Sequence, residues 1–186
     1  MQDIVERKAT YADLEAEPPH LVAEILRGKL VTHPRPTPRH SVAAASLTDE
    51  LIGPFQKSRG GPGGWIFMAE PELHLGKEIA VPEIAGWLIE RMPALPKTAY
   101  IEAAPDWLCE VLSPSTEKYD RGEKRDIYAE AGVKHLWLVD PRVQCLEVLE
   151  LASGRWVLTG TYSGSAAVRA VPFAAIEIEL AGLWPL

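Results

Sequence analysis

From Trp107 to Leu112 the chain reads W-L-C-E-V-L, an apolar run broken by one carboxylate, Glu110, and bounded by Pro105 before it and Ser113-Pro114 after it. That pattern predicts a buried strand. Period two puts Glu110 on the face of Leu108 and Leu112, with Cys109 and Val111 on the other. A charged stretch follows and stops at Gly132; Asp120 is expected as its N-cap. On that helix Asp120, Lys124 and Tyr128 are spaced i, i+4, i+8 and share one face. Leu136 to Val139, closed by Asp140-Pro141, predicts a second buried strand.

Upstream, Thr10 caps a short helix over Tyr11 to Ala16, which Pro18-Pro19 ends. Leu21 to Leu26 and Lys29 to Thr32, joined at Arg27-Gly28, predict a hairpin with Glu24 in its first arm, read as an edge-strand residue facing solvent. After the proline-rich turn His33 to Pro38, Arg39-His40 opens a helix carrying Val42, Ala45, Leu47, Leu51 and Ile52 toward the core. His40, in its first turn, reads as a surface or capping residue. Trp65 to Leu75 and Ile79 to Ile89 predict two long strands joined at Gly76-Lys77, the second placing Glu83 among Val81, Ala85 and Trp87. Arg91 and Lys97, on the connection that follows, are expected to face water. Downstream of Pro141 the segments Cys145–Leu151, Arg155–Tyr162, 167–171 and 176–180 predict a β meander, with Leu183-Trp184 packing back.

Composition narrows the class. The 186 residues, 47% hydrophobic and 24% charged, with near-neutral mean hydropathy, are those of one globular domain, here expected to span 1–186. No apolar stretch reaches the roughly 20 residues of a membrane span, and the start, M-Q-D-I-V-E-R-K, lacks a leader's apolar core, so a cytoplasmic protein is expected. Cys109 and Cys145 lie in predicted strands without metal-ligand spacing and are expected as buried thiols. A formal charge of −7 argues against indiscriminate coating of nucleic acid.

The chemistry concentrates in the two acids that interrupt apolar runs. An ionised carboxylate on an apolar face costs several kcal/mol unless a cation or a ring of donors accompanies it. Asp106, four residues before Glu110, is roughly 13 Å away along the strand, too far to share a cation. Glu83, on a strand able to lie alongside, has no such obstacle. Two carboxylates with Lys124 nearby suit a hard divalent cation and a phosphodiester, or acid and base toward a glycoside, or a plain ion pair with Lys124 and Arg125. Spacing alone leaves all three open. The Gly60 to Gly64 loop matches neither a phosphate-binding loop nor a dinucleotide fingerprint.

The segments V-P-E-I-A-G-W, L-C-E-V-L-S-P-S-T, D-R-G-E-K-R-D-I-Y and G-V-K-H-L-W-L-V-D-P together resemble the Uma-type family of restriction-endonuclease-like proteins, a branch of the PD-(D/E)XK nuclease superfamily. The earlier A-E-I-L-R-G-K-L-V and P-R-P-T-P-R-H are similar to that family's amino-terminal hairpin and histidine, so the likeness runs from about Tyr11 to Trp184. It implies an α/β (α+β) core with a central mixed sheet flanked by helices, and a Mg²⁺- or Mn²⁺-dependent endonuclease acting on DNA. It further implies Glu83, Glu110 and the Val111 backbone carbonyl as metal ligands and Lys124 as the catalytic lysine. Asp120 and Tyr128 would support that lysine, with Glu24 and His40 at the cleft edge. Cutting both strands of a duplex would take two centres, hence a homodimer. Two positions depart from the superfamily motif: Glu83 stands where an aspartate is usual, and Leu112 where a lysine is usual. The alternative from another class is a non-catalytic nucleic-acid- or protein-binding module with a degenerate site.

Overall fold

In the structure, a computed structural model that describes residues 7–184, the buried run around Glu110 is the middle of a six-stranded mixed sheet. The part of the amino-terminal stretch read above up to Glu6 lies outside the described residues. In chain order come α1 (Tyr11–Glu15), β1 (Leu21–Leu26), β2 (Lys29–Pro34), α2 (Pro38–Leu51), β3 (Trp65–Ala69), β4 (Leu73–Leu75), β5 (Glu78–Ala80) and β6 (Ile84–Leu88). There follow β7 (Trp107–Val111), α3 (Glu117–Asp120), α4 (Glu123–Glu130), β8 (His135–Asp140), β9 (Cys145–Ala152), β10 (Arg155–Ser163), β11 (Ala167–Val168) and β12 (Ile178–Glu179). The large sheet has the order β10-β9-β8-β7-β6-β3, and only β7 and β8 run parallel, joined through α3 and α4. A second sheet has the order β2-β1-β5-β4.

The alternation within β7 decides where the cores lie. Trp107, Cys109 and Val111 face a layer built from Ala43, Leu47 and Leu51 of α2 together with Phe55, Phe173 and the carboxy-terminal segment around Ile178. Leu108 and Leu112 face the opposite layer, with Ile127 and Tyr128 of α4 and Leu26, Leu73 and Ala80 of the small sheet. Glu110, between them, therefore points into the space between α4 and the small sheet.

Several expected elements differ. The two long strands are each broken by a proline: Glu70-Pro71-Glu72 separates β3 from β4, and Val81-Pro82-Glu83 separates β5 from β6. A proline has no N–H to give a ladder, so each strand leaves the large sheet there and its continuation joins the small one. Glu83 thus sits at a corner, outside the apolar stripe it was assigned. The corners are tied together, Glu70 N donating to Glu83 O at 2.9 Å.

The charged helix begins earlier than expected. Thr116 is the N-cap of α3, Asp120 is its last residue, and the helix is interrupted at Arg121-Gly122 before α4 starts. Gly132, at φ +79°, closes it as expected. On α2 the buried face is His40, Ala43, Leu47 and Leu51, whereas Val42 and Ala45 are exposed. Four small apolar residues in succession, Val42 to Ala45, give no phase to the pattern. The segments 167–171 and 176–180 shorten to two-residue strands, and Arg91 pairs with Asp106 at 2.5 Å instead of facing water alone. Cys145 is only half-buried, while Cys109 is buried as expected. Trp184 packs back, its indole N–H donating to Gly164 O at 2.6 Å.

Candidate active site

Glu110 is held at the centre of a buried polar cluster. Its Oε1 accepts from the Tyr128 hydroxyl at 2.5 Å and lies 2.9 Å from Lys124 Nζ. The shared helical face of Asp120, Lys124 and Tyr128 survives the interruption at Gly122, and all three side chains are buried. Lys124 Nζ is also 3.0 Å from Glu24 Oε1 and 3.5 Å from Asp120 Oδ1. Burial works against the lysine's charge, and the carboxylates of Glu110 and Glu24 outweigh it, so its pKa stands well above the usual value.

Glu24 is not a solvent-facing edge residue. It is 1% exposed, because β1 has a neighbour on each side, β2 and β5, and its side chain projects from that interior strand toward α4. Its Oε1 accepts from Val81 N at 2.8 Å, and its Oε2 lies 3.2 Å from His33 Nε2. His33 was not singled out from the sequence. The signal was present in the hairpin register: Glu24 faces Val31, and His33 lies two residues beyond it on the same side of β2.

His40 is likewise no surface residue. It is 5% exposed, and its Nε2 is 2.9 Å from Glu83 Oε1. Burial opposes protonation of His40, the Glu83 carboxylate prevails, and the pKa is raised. Glu83 also accepts from Val111 N at 3.0 Å. The corner at Pro82 therefore brings Glu83 onto the end of β7, beside Glu110.

Glu110 is removed from water and Glu83 only partly so, and two neighbouring carboxyls of this kind do not both ionise freely. Glu110, disfavoured by burial and by its acidic neighbours, is raised well above the ordinary range; Glu83 is lowered, because the bonds from His40 and from Glu110 outweigh the cost of burial. Burial likewise pushes Asp120 up to about 6. Glu24, Glu83, Glu110 and Asp120 thus face Lys124 and His40, an excess of negative charge that is met by holding protons.

That excess is what a divalent cation would neutralise. Among the described residues no three His, Cys, Asp or Glu side chains form a ready metal cage. Mg²⁺ does not need one, since it is commonly held by one or two carboxylates with water and substrate oxygens completing its shell. Glu83, Glu110 and the Val111 carbonyl are hard oxygen donors of the kind it takes. Over Glu83 opens a cleft of about 180 Å³, lined among others by His33, Arg35, His40 and Ser115, while Glu110, Val111 and Lys124 lie buried beneath it. Asp106, by contrast, lies away from this site as expected, its Oδ2 accepting from Leu88 N at 2.9 Å.

A central mixed sheet flanked by helices, with acids and a lysine gathered at the end of β7, defines a restriction-endonuclease-like fold. The model of the Uma2 family, described as "Putative restriction endonuclease", matches residues 9–181, and the chain belongs to that family. A crystal structure titled as that of a "putative nuclease belonging to DUF820" from Anabaena variabilis ATCC 29413 is similar in fold, with a TM-score of 0.74. The match has 21% identity and covers 92% of this chain and 94% of that one. No curated protein matches the chain. Among the described residues no helix is long and apolar enough to cross a membrane.

Proposed function

We propose that the chain is a Mg²⁺- or Mn²⁺-dependent nuclease that hydrolyses DNA phosphodiester bonds at the Glu83, Glu110 and Lys124 cluster. The observation that carries this reading is a buried carboxyl, Glu110, held 2.9 Å from the buried Lys124 Nζ, at the strand end where Glu83 accepts from Val111 N. Glu83, Glu110 and the Val111 carbonyl would hold the ion, which would supply a Lewis acid for the phosphoryl oxygen and the attacking water.

The chain's own groups do the rest. Tyr128 donates to Glu110 and fixes the orientation of its carboxyl. Glu24 and Asp120 hold the Lys124 ammonium against Glu110, where it orients the water and stabilises charge developing on the phosphate. His40 fixes Glu83, so that both acids meet the substrate already oriented. The extra methylene of Glu83 is accommodated because the residue stands at a corner. Lys124 from the helix stands in for the lysine absent at Leu112.

One observation favours the non-catalytic alternative: Lys124 is only 3% exposed and has three carboxyl partners. Incubation with supercoiled and single-stranded DNA separates the two readings. The nuclease reading expects cleavage that needs Mg²⁺ or Mn²⁺, stops with chelator, and falls by at least about a hundredfold in Lys124→Met. DNA binding without cleavage under any metal supports the alternative.

A further inference from the structure

The cleft contains a cation that the chemistry above does not use. Arg35 stands between Pro34 and Pro36 at the end of β2, so the flanking rings narrow its main-chain conformation at the cleft edge. It borders both the 180 Å³ cleft over Glu83 and an adjoining groove of about 660 Å³ that runs along α2 past Ala44 and Ile52. No other lysine or arginine lines either cavity among the described residues. Lys124 is no substitute, being buried behind Glu110.

Arg35 is also incompletely satisfied. Its Nη2 donates to Pro19 O at 3.3 Å, and its Nη1 stands 3.6 Å from Glu70 Oε2, too long for a hydrogen bond. Its side chain is 57% exposed, so most of its five donors remain free for a bidentate acceptor. Glu70 is held in the left-handed region at φ +46°, a conformation unfavourable for a side-chain-bearing residue, and its N–H is bonded to Glu83 O. The counter-ion of Arg35 is therefore anchored to the corner that carries Glu83, and it draws the guanidinium toward that corner.

We propose that Arg35 binds a backbone phosphate of the DNA strand next to the scissile one, and that Glu70 is the counter-ion it leaves when substrate enters. The proposal rests on the nuclease reading. On a chain of formal charge −7 a polyanion has few footholds, and a preorganised fork at the cleft mouth supplies one. The exchange of Glu70 for phosphate makes the two residues act in opposite directions on affinity.

Binding of a fluorescein-labelled duplex and of its single strand, measured in EDTA across a salt series, tests this with full-length protein. Arg35→Gln should weaken binding roughly tenfold and lower the slope of log K against log salt by about one. Glu70→Gln should tighten binding severalfold, and the double variant should behave as Arg35→Gln alone. Both single variants should keep the wild-type thermal midpoint, because the pair is exposed. If Arg35→Gln keeps wild-type affinity and slope, or Glu70→Gln weakens binding as Arg35→Gln does, the proposal is wrong while the nuclease reading stands. If the wild type binds neither DNA, this proposal falls, and the metal-dependent cleavage assay alone decides the nuclease reading. In cleavage, Arg35→Gln should raise KM with kcat unchanged, the mark of a contact made equally in ground and transition states.

Discussion

Lys124 Nζ lies 2.9 Å from Glu110 Oε1, a helix residue and a strand residue meeting with both side chains almost completely removed from water. The ammonium would not be tolerated there without the acids around it. Lys124→Met should therefore cost about 3–5 kcal/mol of stability, chiefly because it leaves the buried carboxylate of Glu24 without its cation. The urea midpoint measures it. Added Mg²⁺ should recover part of the loss in the variant; a variant as stable as wild type would show that the lysine is not what balances the acids.

Metal binding should depend on pH with a definite sign. Glu110 holds its proton well above the ordinary carboxyl range, and His40 holds its own above the ordinary imidazole value. The Glu110 proton must leave for that carboxyl to take a cation, and loss of the His40 proton removes a competing positive charge, so affinity rises with pH and protons are released. Calorimetry with Mn²⁺ at about pH 6 and about pH 8, in buffers of different ionisation enthalpy, should show tighter binding at the higher value. Equal affinity at both would contradict the site.

Asp120 makes the opposite kind of prediction, on stability. Burial raises its pKa from 3.8 to about 6, so between those values the folded chain binds more protons than the unfolded one. Its contribution is therefore favourable at low pH and is lost as pH rises toward about 6. Asp120→Asn should remove that slope and be more stable than wild type at neutral pH by on the order of 2 kcal/mol. Denaturation across pH 4 to 7, as an order-of-magnitude window of about three units, checks it.

Gly86 sets the spacing of the aromatic layer. It pairs with Phe67 on one side and Trp107 on the other, and a Cβ there would come within 2.8 Å of the Phe67 ring and 3.3 Å of Trp107. Gly86→Val should cost about 1–3 kcal/mol through overpacking. Thermal unfolding reads it, and an unchanged midpoint would mean that the rings can move aside.

Much of this site is legible in the order of residues along the chain. The face of β7 that holds Glu110 follows from alternation, and the common face of Asp120, Lys124 and Tyr128 follows from spacing, because both rest on local geometry. Glu24 and His40 were misplaced for non-local reasons. A hairpin read by itself shows no third strand, yet β5 joins β1 through the pairing of Ile25 with Ile79, 54 residues later (79 − 25), and buries Glu24. His40, in the first turn of its helix, reads as a surface or capping residue, and only the packing of α2 against β7 and the approach of Glu83 bury it. The corners were visible as Pro71 and Pro82, but which sheet each half joins is decided by tertiary pairing. Arg35 carries no periodic signal at all; the cleft gives it a meaning.

Anomalous diffraction from crystals soaked in Mn²⁺ tests the central claim most directly. The account predicts a peak bounded by the carboxylates of Glu83 and Glu110 and the Val111 carbonyl, with Lys124 alongside, and its disappearance in Glu110→Ala. No density there at millimolar Mn²⁺, or density that persists without Glu110, would contradict it.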